Sequence, residues 1–167
     1  MKPLKFIAAL FLVFSFLAPA TAFAGEAVYY LFRHAEKIEG GENPRDPGLT
    51  DEGITRAENL VELLEDTGVT RIFSSDYIRT RETVAPLSAA TGVAIEIYDP
   101  RDLPGFADSL KEIDGVIVIS GHSNTTPELT ALLSGHVTEP MEESEYDRLY
   151  RVERSGEEFT LTVLKQD

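Results

Sequence analysis

The 167-residue chain sets 29 acidic against 15 basic side chains, and its net charge of -14 repels nucleic acid and anionic lipid surfaces. It has no cysteine, which excludes disulfides and thiol chemistry and leaves packing to stabilise the fold. An anionic substrate would need a locally positive pocket within that negative field.

Residues 1–24 read as an export signal. Lys2 and Lys5 form a positive start, and Phe6 to Ala18 is apolar except for Ser15, too short a stretch for a comfortable membrane span. Pro19 ends the run, and Ala22-Phe23-Ala24 fits a small-x-small cleavage site, placing the mature start near Gly25. An uncleaved N-terminal anchor is the alternative. Cleavage would remove two lysines and no acid, lowering 15 basic residues to 13 against an unchanged 29 acidic and moving the net charge from -14 to -16. The expectation is one domain over residues 25–167, periplasmic or secreted, without stable membrane insertion once the signal is removed.

Val28 to Phe32 is the first predicted strand, running into Arg33-His34. Glu39 to Pro47, rich in Gly, Pro and Asn, is a loop over its end. Thr50 caps a helix in which Ile54, Ala57, Leu60, Val61 and Leu64 recur at helical spacing until Gly68. Arg71 to Phe73 is a short strand, and Ser74-Ser75-Asp76 is expected to cap a helix over Tyr77 to Ala90. That helix would bury Ile78, Val84, Ala85 and Leu87, with Pro86 as a possible kink.

Val93 to Tyr98 is a third strand, followed by a turn over Asp99 to Gly105 and a short helix ending near Ile113. Val116 to Ser120, the most apolar run, suits the centre of a parallel sheet and leads into Gly121-His122. Pro127 after Thr126 starts another helix through Leu133, and Tyr146 to Val152 with Glu158 to Leu164 form a hairpin around Ser155-Gly156. Strands alternating with helices define an α/β class, a three-layer sandwich with a mainly parallel central sheet. The hairpin would either cover the sheet edge or pair between subunits, and oligomeric state is left open.

Two strands thus end on a histidine, where open α/β sheets bind their ligands. Arg79 lies four residues past Ser75, about one helical turn, and can point back toward those strand ends; Arg81 points elsewhere. Arg33, His34, Arg79 and His122 could therefore converge. Two guanidinium forks match phosphate oxygens, and between them a neutral imidazole could attack phosphorus. The chemistry suggested is phosphoryl transfer through a phosphohistidine. Its rate should fall in acid as His34 is protonated, and a limb flat down to pH 4 would count against a free neutral imidazole.

The stretches Leu31 to Lys37, Leu49 to Gly53, Ser75 to Thr83 and Ser120 to Asn124 resemble, in order, the motifs of the histidine phosphatase (phosphoglycerate mutase-like) superfamily. The resemblance implies that His34 is the nucleophile and that Arg33, Arg79 and His122 complete the phosphate pocket; Ser123 and Asn124, directly after His122, are expected to contact substrate. It implies no metal and no cofactor, and three histidines without cysteine offer no metal-ligand spacing of their own. His136, beyond Gly135, is expected to be a surface residue.

Ala35 stands where many relatives have glycine. The acid that protonates the leaving group is not matched: Ser123, not aspartate, follows His122, which leaves Asp102 and Glu36 as candidates and Asp99 and Glu128 as outside options. Asp102 could instead cap the helix near Pro104. The implied activity is hydrolysis of a small phosphorylated molecule, with a catalytically silent phosphate-binding protein and a phosphomutase as alternatives. Export and the short chain, which leaves little sequence for a lid, disfavour the mutase.

Overall fold

The computed structural model describes residues 25–166, so the expected export signal over residues 1–24 lies outside the described residues. Its elements are β1 (Glu26–Arg33), α1 (Asp51–Leu64), β2 (Val69–Ser75), α2 (Ile78–Thr91), β3 (Ile95–Tyr98), α3 (Leu103–Lys111), β4 (Gly115–Gly121), α4 (Thr125–Ser134), β5 (Arg148–Ser155) and β6 (Glu158–Lys165). They form one six-stranded sheet in the order β3-β2-β4-β1-β5-β6. β3, β2, β4 and β1 pair in parallel, and the tail hairpin adds β5 and β6 antiparallel on the β1 side. No helix among the described residues is long and apolar enough to cross a membrane.

Successive side chains of a strand point to opposite faces, and β1 shows the consequence. Tyr29 and Leu31 enter one core with Ile117, Ile119, Leu110 of α3 and Leu133 of α4. Tyr30 and Phe32 enter the other with Val118, Leu60 of α1 and Leu87 of α2. The helices therefore cover both faces and make three layers, the class expected from the alternation of elements. A strand buried on both sides must be apolar throughout, which is why β1 and β4 read as continuous apolar runs.

Several local expectations differ from what forms. Thr50 does cap α1, its hydroxyl accepting from the Gly53 amide, but Ile54 is 47% exposed while Gly53, Ala57, Leu60 and Leu64 face inward. Ser74 and Ser75 belong to β2 rather than to a helix cap. The α2 cap position is Tyr77, which makes no capping bond, and Asp46 from the distant loop accepts from the Ile78 amide at 2.8 Å instead. Within α2, Ala85 is exposed and Ile78 half-buried, whereas Thr80 and Thr83 are buried. Their hydroxyls pair with backbone carbonyls, so polar residues can occupy an inward stripe that hydrophobic periodicity assigns to apolar ones. α4 begins at Thr125, so Pro127 is its third residue.

Candidate active site

The carboxyl ends of β1 and β4 lie side by side, with Arg33 opposite Gly121 and the His34 amide donating to the Gly121 carbonyl at 2.9 Å. From here the chain leaves β1 toward α1 on one face and leaves β4 toward α4 on the other. Such a divergence opens a crevice at the strand ends. His34 and His122 meet in it with ring centroids 5.5 Å apart.

Close backbone approach holds the floor together. A Cβ on Gly53 would lie 2.3 Å from the Glu36 carbonyl oxygen, so only glycine lets the first turn of α1 sit against the segment after His34. Thr83 links that segment to α2: its hydroxyl accepts from the Ala35 amide at 3.0 Å and donates to the Arg79 carbonyl at 2.7 Å. The residue after His34 and the turn carrying Arg79 are thereby fixed relative to each other.

Each histidine has a tautomer dictated by its partners. His34 Nδ1 lies 2.7 Å from the Ala35 carbonyl oxygen, which can only accept, so Nδ1 carries the proton and Nε2 keeps the lone pair. Burial pushes the His34 pKa down to about 3; the Ala35 carbonyl opposes this, and the charges of Arg33 and Arg79 add to it. His122 has the opposite tautomer. Its Nδ1 accepts from Arg79 Nη2 at 3.4 Å, so Nε2 donates to Ser75 Oγ at 2.9 Å, and Ser75 passes its own hydrogen to Thr80 Oγ1 at 3.1 Å. Burial, then Arg79 and Arg33, lowers its pKa to about 4, against the pull of Asp46.

The two arginines are held by different means. Arg33 is 2% exposed, and its Nη1 donates to the carbonyls of Glu142, Glu143 and Glu145. Its Nη2 donates to Glu143 Oε2 at 3.0 Å, and its Cζ sits 4.1 Å from the Tyr146 ring centroid. Arg79 lies over Tyr77, with Cζ 4.5 Å from the ring centroid and Nη1 3.5 Å from Asp46 Oδ1 without a hydrogen bond. Arg33 Nε, Arg79 Nε and Arg79 Nη1 are buried donors with no acceptor among the described residues. Two guanidiniums with buried N–H groups to spare, beside two neutral imidazoles, form a pocket for an anion with several oxygens.

That pocket encloses about 360 Å³ and is lined by Arg33, His34, Arg79 and His122, together with Ser123 and Asn124. Lys37, Tyr77, Arg101 and Glu143 also line it. Pattern reading did not single these out, because a rim cation or a tyrosine in a loop has no spacing to mark it. A groove of about 450 Å³ continues past Tyr77, Pro100 and Arg101 toward Ile97 and Tyr98. The remaining candidates lie elsewhere. Glu36 is held by Arg56 through Nε and Nη2 at 3.0 and 2.6 Å, and Asp102 caps α3 by accepting from the Gly105 amide at 3.1 Å. Neither carboxylate lines the pocket. His136 is exposed, and Arg81 turns away to pair with Asp76. No group of three or more His, Cys, Asp or Glu able to hold a metal ion occurs among the described residues.

Residues 29–102 match the family model of the histidine phosphatase superfamily (branch 1). Over 76 residues the chain is 32% identical to the "Probable phosphoglycerate mutase GpmB" of Erwinia tasmaniensis, covering 43% of this chain and 35% of that one. The match thus spans about a third of the length of that curated relative. Among solved structures, a phosphoglycerate mutase from Bacillus anthracis superposes with a TM-score of 0.66 at 14% identity, over 85% of this chain and 94% of the other. A mycobacterial glucosyl-3-phosphoglycerate phosphatase gives 0.66 at 14% identity, over 85% and 100%. At such identities the solved structures speak for the fold.

Proposed function

We propose that this chain, whose residues 29–102 match the histidine phosphatase family model, is a member of that superfamily and hydrolyses a phosphomonoester in two steps through a phosphohistidine on His34, without a metal. The tautomer of His34 carries this reading: with Nδ1–H tied to the Ala35 carbonyl, Nε2 is left as a lone-pair nitrogen in a side chain lining the cationic pocket. In the first step Nε2 forms a bond to phosphorus as the bond to the leaving oxygen breaks. In the second, water attacks phosphorus and the N–P bond breaks, returning neutral His34. Arg33 and Arg79 bind the equatorial oxygens, where charge builds in the transition state and preorganised donors contribute most, and His122 completes the pocket by accepting from Arg79 Nη2 and so orienting that guanidinium. Ser123 and Asn124 contact the bound ester.

Residues 1–24 are proposed as a cleaved signal, making the enzyme periplasmic or secreted. N-terminal sequencing of the exported protein should begin near Gly25. The catalytic test is incubation of the protein and of His34→Ala with an aryl phosphate. Turnover in the parent, an acid-labile phosphoenzyme, and loss of both in the variant are expected; equal turnover in the two would sink the assignment. Similarity over 76 residues to a protein named "Probable phosphoglycerate mutase GpmB" supports a second reading, phosphate transfer within a phosphoglycerate, which the same protein tests by conversion of 3-phosphoglycerate.

A further inference from the structure

Glu143 is the one acidic side chain among the described residues lining the pocket. Its backbone is fixed while its carboxylate is not. Residues 142–145 make a turn closed by the Glu145 amide on the Glu142 carbonyl at 3.0 Å, and Arg33 Nη1 clamps that turn through three of its carbonyls. The side chain itself is 78% exposed and spans the pocket mouth, with Oε1 accepting from Ser123 Oγ at 2.6 Å and Oε2 from Arg33 Nη2 at 3.0 Å.

In-line displacement sets attacking and leaving atoms on opposite sides of phosphorus. His34 is 3% exposed at the pocket floor, so an ester attacked from there expels its oxygen toward the mouth, where the Glu143 carboxylate lies. We propose that Glu143 is the proton donor to the leaving oxygen, and that it takes a proton from the attacking water in the second step. This rests on the phosphohistidine reading above. The atoms balance over the cycle: the carboxylic proton goes to the departing alcohol as the P–O bond breaks, and the water proton restores it as the N–P bond breaks.

Without ligand, the Ser123 hydrogen bond and then the charges of Arg33 and Lys37 hold the carboxyl below its ordinary range, so it is ionised. A bound phosphate dianion reverses that field. It draws off the charge of Arg33 and sets two negative charges beside the carboxylate, which favours the protonated form just when a proton is needed. Substrate binding thereby loads the acid.

The test compares the protein with Glu143→Gln on a series of substituted phenyl phosphates whose phenols range from strongly acidic to phenol itself, about pKa 10. An acidic phenol departs without help, so the two proteins should agree within about 5-fold there, diverging to ~100-fold at unsubstituted phenyl phosphate, as general acid catalysis is typically worth 10²–10⁴-fold. Two results would overturn the role. A parallel drop across the series would make Glu143 a positioning residue of the Arg33 turn. A parallel gain, with lower KM, would make it a competitor for the phosphate site. Turnover independent of His34 would defeat the phosphohistidine reading instead, and His34→Ala run alongside separates that outcome.

Discussion

Lowering the pH from 7 to 4.5 is expected to destabilise this protein through His34 in particular. The imidazole titrates near 6.5 in an unfolded chain and about 3 in the folded one. A depressed histidine makes the unfolded state bind protons first, so its contribution to stability is present above pH 6.5 and drains away as the pH falls toward 3. Each pH unit in that window costs about 1.4 kcal/mol, so the two units from 6.5 to 4.5 cost about 2.7 kcal/mol from this one side chain. The ring is 3% exposed, so solvent screening removes little of this. The assay is urea unfolding of the protein and of His34→Gln across the pH series. The many carboxylates titrate in both proteins and cancel in the difference. With m-values of roughly 1–3 kcal/mol per molar urea, the gap between the two midpoints should shift by about 1–3 M between pH 6.5 and 4.5. Parallel curves would refute the argument, since they would mean that the folded ring accepts a proton as readily as the unfolded one.

The same burial revises the acid limb of catalysis. An ordinary histidine would lose activity below about pH 6.5, whereas kcat/KM corrected for substrate ionisation should stay flat to about pH 4; a midpoint near 6.5 would show that His34 is not held neutral. Asp102→Ala should cost about 1 kcal/mol of stability, as loss of an N-cap does, and leave turnover within about 2-fold, read by thermal melts and steady-state rates. Glu36→Gln breaks a largely buried pair with Arg56 and should cost about 2 kcal/mol or more while sparing the chemistry; loss of turnover from a stable variant would restore Glu36 as a candidate acid. Gly121→Ala would place a Cβ 2.7 Å from Thr126 Oγ1 and 3.0 Å from the Tyr98 hydroxyl, shifting the strand end that carries His122. Destabilisation of about 1–3 kcal/mol is expected, with a loss of turnover larger than the melting shift explains.

The layered fold was legible because β1 and β4 are apolar on both faces and the intervening helices carry apolar stripes, a pattern with few other solutions. Arg33, His34, Arg79 and His122 stood out because strand ends and one helical turn put them within reach of each other. Thr80 and Thr83 escaped the same reading, since a buried hydroxyl with a carbonyl partner looks like a surface residue in a periodicity count. Asp46 escaped because it caps α2 from a loop 32 residues upstream of Ile78, a pairing that no local spacing encodes.

Sequence alone determined the chemistry available to this protein: no thiol, a strongly negative exterior, two histidines at strand ends and arginines near them. Tertiary structure decided which of those groups are neutral, which are clamped and which carboxylate lines the pocket. Tautomers and depressed pKa values arise from burial and from hydrogen-bond partners far away in the chain. So Glu36, inside the first motif, is tied to an arginine and Asp102 to a helix end, while Glu143 reaches the pocket because the buried Arg33 guanidinium needs the carbonyls of its turn.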